Sequence, residues 1–237
     1  MEIVPGLHAV RLLGAKAYLA VAGGEVTLID AGLRGSGPLL RRYLGRIGRS
    51  TGDIARIVCT HAHPDHIGGV REIAAFSSAE VLMHPADTAR LRIGLREVIA
   101  NPSPGPIVAL LTKGPEDAHD LRDGDVIPVL GGLAVVHTPG HTPGSVCLYS
   151  PIHRLLIVGD VLQVIRGRVS LPSRLFTEDM ALARRSIARL AALDVETICF
   201  AHYPTWHSGG RAALEALAER DGGAGQPALR GRTPWRP

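Results

Sequence analysis

The sequence predicts an α/β protein of two similar halves, each a sheet with helices on one face, packed sheet against sheet. Three observations carry that expectation. Strand-like and helix-like stretches run in the order strands, helices, strands, helices. At 237 residues the chain can bury a sizeable core. Its 46% hydrophobic and 20% charged residues are the proportions of a folded globular protein, whereas a disordered chain would be poor in apolar residues and unbalanced in charge.

Residues 1–30 read as strands: the apolar run AYLAVA, the turn Gly23-Gly24 and VTLID suggest an N-terminal hairpin that ends at Asp30. Residues 37–48 carry Leu39, Leu40, Tyr43, Leu44 and Ile47 at helical spacing, and ARIVCT then reads as a buried strand. GVREIAAF follows as a short helix and EVLMH as another strand. Residues 85–118 break the rhythm with a helix at ADTARLRIGLREVIA, the breaker NPSPGP and the apolar IVALL, which is where a lid would be inserted. Strands return at DVIPVL, LAVVHT, SVCLY and RLLIVGD, joined by Gly and Pro turns. A helix is expected over residues 178–193, capped by Thr177, with Glu178 and Asp179 at its positive end and Ala181, Leu182, Ile187, Leu190 and Leu193 as its apolar face. TICFAH is the last strand and RAALEALAER the last helix. The Gly-, Pro- and Arg-rich residues 222–237 read as a disordered tail.

The net charge of +4 does not indicate a nucleic-acid surface, because 24 of the 26 basic residues are Arg and they are scattered from Arg11 to Arg236. An Arg-for-Lys usage bias explains them. Cys59, Cys147 and Cys199 each sit in an apolar strand-like run, as small buried hydrophobes rather than a disulfide framework. The N-terminus lacks the basic, then apolar, order of a signal peptide, and no stretch approaches the roughly 18 continuous apolar residues of a membrane span. A cytoplasmic protein acting on a small molecule, with no nucleic-acid or membrane partner, is the expectation.

The stretch THAHPDHIGG, residues 60–69, places His61, His63, Asp65 and His66 within six positions. Pro64 argues against a regular helix and Gly68-Gly69 would weaken one, so the stretch reads as a loop from the strand ARIVCT into a helix near Gly69. In such a loop, residues two apart can converge on one ion and the next two can address a second. Three further ligand-type side chains stand at later strand ends: His141 in the turn HTPGHTPGS, Asp160 after RLLIVG and His202 after TICFA. A merely solvated polar loop would not have these companions. Imidazoles joined by carboxylates suit Zn, Fe or Mn better than Ca or Mg. Asp30, at its own strand end, can accept a hydrogen bond from a ligand imidazole and fix its tautomer. His8, His84, His119, His137, His153 and His207 have no ligand spacing and are assigned to structure or surface.

HAHPDH with His141, Asp160 and His202 resembles the metallo-β-lactamase superfamily of hydrolases, over residues 30–202. The resemblance implies a four-layer αβ/βα sandwich with two mixed sheets face to face and helices outside, a single domain over residues 1–221 with 85–118 as its insert or lid. It implies two divalent metal ions, zinc first and iron or manganese as alternatives, in a cleft between the sheets. Carried over by position, His61, His63 and His141 bind one metal, Asp65, His66 and His202 bind the other, Asp160 bridges them and Asp30 supports. The chain departs from the family pattern at Ala201-His202-Tyr203, where glycine neighbours are usual, and at Ser145, where many members carry another histidine.

The expected reaction is hydrolysis. A water held between two cations roughly 3.5 to 4 Å apart ionises near pH about 7 and attacks a carbonyl, with Asp65 orienting that water or passing on its proton. The expected substrate is a small carboxylic ester, lactone or thioester, with a hydrophobic part to suit the apolar insert. The resemblance extends to persulfide dioxygenases that use one iron held by two His and one Asp, which is the oxidoreductase alternative. β-Lactamase, phosphodiesterase and non-catalytic readings rank below. The branch resembling glyoxalase II carries a longer C-terminal helical region for glutathione, whereas one short helix and a tail follow His202 here.

Overall fold

The computed structural model describes residues 1–92, 95–100, 110, 112, 114, 115 and 117–221. The tail expected at 222–237, the breaker NPSPGP and most of IVALL lie outside those residues. Seven strands form the first sheet in chain order: β1 (Glu2–Val4), β2 (Leu7–Arg11), β3 (Lys16–Ala22), β4 (Glu25–Ile29), β5 (Ile54–Val58), β6 (Glu80–Met83) and β7 (His119–Asp120). β1 to β4 pair antiparallel, and β4 to β7 pair parallel. The second sheet has the order β14-β11-β10-β9-β8, from β8 (Val126–Ile127), β9 (Leu133–His137), β10 (Val146–Ser150), β11 (Leu155–Ile157) and β14 (Thr197–Cys199). β11 and β14 run parallel, and the other pairs run antiparallel. β12 (Gln163–Ile165) and β13 (Arg168–Ser170) make a separate two-stranded ribbon.

The period-2 alternation of side chains sorts the core into three slabs. On β3, Tyr18 and Ala20 face the second sheet and meet Leu133, Val135, Val146 and Leu148. Ala17 and Leu19 face the other way, beneath helices α1 (Gly37–Arg46) and α3 (Val70–Ser77), which contribute Leu40, Leu44, Val70 and Ile73. On the second sheet, Cys147, Leu156 and Ile198 point outward to Ile187, Leu190, Leu214 and Leu217 of helices α6 (Met180–Ala191) and α7 (Gly210–Asp221). Helix, sheet, sheet, helix is the expected four-layer sandwich. The three cysteines are buried and unpaired. Among the described residues, no helix is long and apolar enough to cross a membrane.

Several local expectations need correction. The motif stretch is not wholly a loop: Pro64–Ile67 is a short helix, α2, with Pro64 in its first turn. A proline there forfeits no hydrogen bond, and its fixed φ suits a helix start. The helix expected over residues 86–100 splits into α4 (Pro85–Arg90) and α5 (Leu95–Ala100). The cap of α6 is Asp179 rather than Thr177, its carboxylate accepting from Ala181 N and Leu182 N at 2.8 Å each. Leu39 and Ala181 face solvent, because the buried arcs of their helices fall one and two residues further on, at Leu40 and Ala183.

Candidate metal centre

The C-terminal ends of β4, β5, β9, β11 and β14 deliver Asp30, the motif, His141, Asp160 and His202. β9 and β11 are both antiparallel to β10, and β14 is parallel to β11, so these three ends share one edge of their sheet. Hydrogen bonds tie that edge to the first sheet: Val146 N donates to Thr60 O at 2.9 Å, and Tyr18 OH to Phe200 O at 2.8 Å. Gly69 permits the motif to lie against the end of β4, since a Cβ there would stand 2.4 Å from Ala31 O. Gly159, at φ 49°, turns the chain just before Asp160 where a Cβ would meet Thr60 Oγ1 at 2.7 Å.

The structure brings all seven expected side chains together in two clusters. In the first, His63 Nδ1 lies 3.1 Å from His61 Nε2 and 3.0 Å from His141 Nε2. In the second, His202 Nε2 lies 3.2 Å from Asp65 Oδ2, and His66 Nε2 lies 3.8 Å from the same oxygen. Asp160 stands between them, with Oδ1 3.3 Å from His66 Nε2 and 3.2 Å from His202 Nε2, and Oδ2 3.8 Å from His141 Nε2. The donor atoms of His61, His63 and His141, of His61, His66 and Asp160, and of Asp65, His66 and His202 each lie within 4.8 Å of one another.

The donor chemistry fits divalent cations. His66 Nε2 and Asp160 Oδ1 are buried without a hydrogen-bond partner among the described residues, close together but not aligned to bond each other. Buried polar atoms are nearly always bonded, so a pair aimed at common space marks a place for a cation. Burial first, and then the neighbouring imidazoles, pushes His61 well below the usual histidine range and His63 to about 3. Burial likewise lowers His141 to about 4. Neutral imidazoles with available lone pairs are what a metal takes.

The second cluster has the opposite electrostatics. Burial opposes a charge on His66, but the carboxylates of Asp160 and Asp30 outweigh it and raise its pKa. The carboxylates of Asp160 and Asp65, each with an oxygen 3.2 Å from His202 Nε2, raise His202 to about 9. Burial likewise opposes ionisation of both acids, yet His66 beside Asp160 and His202 beside Asp65 hold them below the usual carboxylate range. This end of the site therefore requires positive charge, whether from protons or from a cation.

Supporting groups complete the setting. Asp30 sits in the left-handed backbone region at φ 62°. Its Oδ2 accepts from Thr60 Oγ1 and binds His66 Nδ1, both at 2.8 Å, and Oδ1 accepts from Thr60 N at 2.8 Å. The expected contact of Asp30 with a motif imidazole is in place and directs His66 Nε2 into the cluster. Sequence reasoning missed Asp87, which accepts from Ala62 N at 2.6 Å, Gly144 N at 2.7 Å and Thr142 Oγ1 at 2.8 Å, joining the loop of His61 and His63 to the turn of His141. A carboxylate just past the end of β6 was the available signal. Ser145 closes that turn with its hydroxyl 2.8 Å from Thr142 Oγ1. Thr177, displaced from its capping role, has its hydroxyl 3.3 Å from His141 Nδ1, and Glu178 accepts from Arg90 Nε at 2.7 Å.

A cleft of about 460 Å³ opens over the clusters, bordered by His63, Asp65, His141, Asp160 and His202 and walled by Pro64, Leu162, Phe176 and Tyr203. The expected lid at 85–118 contributes none of the described lining residues. Its described part braces the ligand loops through Asp87 and Arg90 instead.

Residues 10–202 match the family described as the metallo-beta-lactamase superfamily. The chain is 27% identical to the probable metallo-hydrolase YflN of Bacillus subtilis (strain 168), over 92% of each chain. It is 31% identical to a hydroxyacylglutathione hydrolase of Fuscovulum blasticum, over 90% of this chain and 73% of that one. A metallo-beta-lactamase family protein of Thermus thermophilus superposes with a TM-score of 0.73 at 26% identity, covering 92% of this chain and 79% of that one. With the four-layer fold, the paired donor clusters and these relatives in agreement, the chain belongs to the metallo-beta-lactamase superfamily.

Proposed function

We propose that this protein is a metal-dependent hydrolase that cleaves a carboxylic ester, lactone or thioester. His61, His63 and His141 would hold one divalent ion and Asp65, His66 and His202 a second, with Asp160 shared. Such ions supply Lewis acidity and lower the pKa of water toward about 7, so no Ser or Cys nucleophile is needed. Asp65, whose carboxylate borders the cleft, orients the attacking water and takes its proton. Asp30 holds the tautomer of His66, and Asp87 keeps the two first-cluster loops in register. Pro64, Leu162 and Phe176 exclude water beside the donors and receive the apolar part of the substrate.

The observation that carries this reading is the meeting of two complete donor clusters at Asp160 in the floor of an apolar cleft. The hydroxyacylglutathione hydrolase relative supports a thioester among the candidate bonds. Elemental analysis of protein purified without added metal, followed by a panel of lactones, esters, thioesters, β-lactams and phosphodiesters, tests it. Two metals per chain and turnover of carboxylic esters or thioesters are the expected result. One iron per chain with oxygen consumption on glutathione persulfide, or turnover confined to phosphodiesters, would overturn it.

A further inference from the structure

Beside the metal cleft lies a second hollow of about 600 Å³ that shares Gln163 with it. Arg166, Arg168, Arg174, Arg184 and Arg220 line it, against a single carboxylate, Asp221. Four of them fall between Arg166 and Arg184, and Arg220 follows much later in the chain. Folding gathers them from the ribbon, the segment after it, α6 and α7. Because the chain uses arginine almost throughout, the residue type is no signal, but the gathering is.

The ribbon shows how the gathering is built. Arg166 and Gly167 form its turn at φ 49° and 74°, fixing the pairs Gln163↔Ser170 and Ile165↔Arg168. Alternation then sends Val164 and Val169 into the core and leaves Gln163, Ile165, Arg168 and Ser170 on the face that lines the hollow. Arg220 donates to Val169 O at 3.1 Å and lies 3.4 Å from Asp221. Arg166, Arg168, Arg174 and Arg184 have no side-chain hydrogen-bond or ion-pair partner among the described residues. Like charges gathered in a concavity repel one another and raise the local concentration of anions, and the planar guanidinium fork matches phosphate oxygens.

Two connections join this hollow to the chemistry next door. Tyr203 OH donates to Gln163 Oε1 at 3.2 Å, fixing the side chain that both spaces share. The segment of residues 171–176 faces both, with Leu171, Pro172 and Arg174 on the hollow and Ser173 and Phe176 on the cleft. From this arrangement we infer that the hollow binds the phosphates of a substrate whose acyl end reaches the metal cleft, so that the substrate class is a phosphate-bearing acyl thioester or ester. This inference rests on the hydrolase reading above. A lone carboxylate would offset one of the four unmatched guanidiniums, whereas a carrier with several phosphates offsets most of them. In the reaction the oxygen of water bonds to the acyl carbon and the carbon–sulfur or carbon–oxygen bond breaks. The proton passes to the leaving group, which departs with its phosphates, and no electrons are exchanged with a co-reactant.

The test pairs three thioesters of one acyl chain on the metal-loaded full-length protein: the coenzyme A, glutathione and N-acetylcysteamine derivatives. The kcat/KM for the coenzyme A thioester should exceed that for the N-acetylcysteamine thioester by about 100-fold, and the preference should fall about tenfold or more in Arg168→Ala/Arg184→Ala and shrink as ionic strength rises. Calorimetric titration with adenosine 3′,5′-bisphosphate, which needs no turnover, should show binding that the double variant weakens by a similar factor. A preference that the double variant leaves unchanged, equal preference for the glutathione thioester, or no bisphosphate binding would overturn the inference. If none of the three is hydrolysed, the thioester part of the hydrolase reading fails, and the titration decides the hollow by itself.

Discussion

The two donor clusters meet at Asp160 but are built to different plans. His61, His63 and His141 are all buried, and their loops are stitched together behind the site by one buried carboxylate, Asp87. The second cluster is anchored only at its back. His66 is fully buried on Asp30, whereas the side chains of Asp65 and His202 are 28% and 32% exposed in the cleft. One cluster is suited to hold an ion in fixed geometry, and the other leaves room beside the ion for a substrate. The order of burial follows the order of backbone support.

Removing the shared residue should erase the distinction altogether. Asp160→Ala is expected to empty both clusters and lower kcat/KM by more than the roughly 10–100-fold that loss of a partner behind a ligand costs. Metal content by elemental analysis and turnover of the best ester or thioester are the readouts. Full metal content with unchanged activity would show that the clusters do not depend on Asp160.

Asp87→Ala should strike the first cluster selectively. It leaves Ala62 N and Gly144 N without their acceptor in the interior, at about 1–3 kcal/mol for each buried group left unpaired, while Thr142 Oγ1 keeps Ser145 Oγ. A loss of about 3 kcal/mol or more in urea-unfolding free energy is expected, with the first metal released more readily than the second. Equal release of both metals would break the comparison. Asp30→Asn is the matching test on the other side, because asparagine tolerates the left-handed backbone and still accepts from Thr60 N, but no longer supports His66 with a charge. Affinity for the second metal should fall about 10–100-fold while the first is retained, as measured by competition with a chelator.

The meeting of the candidate donors was legible because covalent spacing carries it: four donor side chains within six residues, and three more, each at or just beyond the end of an apolar run. The same rule would have found Asp87, which stands just beyond β6, had the region after it not looked like an insert. Local chemistry misled where position within an element matters. Pro64 weighs against a helix in the interior but starts one at α2. Thr177 and Asp179 both suit a cap, and tertiary placement beside His141 decided between them. The walls of the cleft were less legible. Tyr203 is the direct neighbour of His202 and can be expected to reach the cleft, and Leu162 stands two residues after Asp160, but Phe176 has no such cue, and only the fold brings the three to one place. The arginine hollow is an intermediate case: Arg166 and Arg168, soon after Asp160, stand together in the sequence, where a surface role is the default for arginine, and only the fold adds Arg174, Arg184 and Arg220 to them.

The smallest expected effect lies at the open end of the comparison. Phe176 borders the cleft yet is 59% exposed, so it can gain burial only from a substrate that covers it. An apolar acyl chain lying on the ring would remove part of that surface from water, for about 1 kcal/mol at roughly 25 cal/mol per Å². Phe176→Ala should therefore raise KM for long-chain substrates by about 3–10-fold and leave kcat unchanged, the pattern of a contact made equally in the ground and transition states. Substrates with a short polar acyl group should not sense the change. If kcat falls instead, or if short and long acyl chains respond alike, Phe176 acts on the donors beneath it, and the second cluster is less open than its exposure implies.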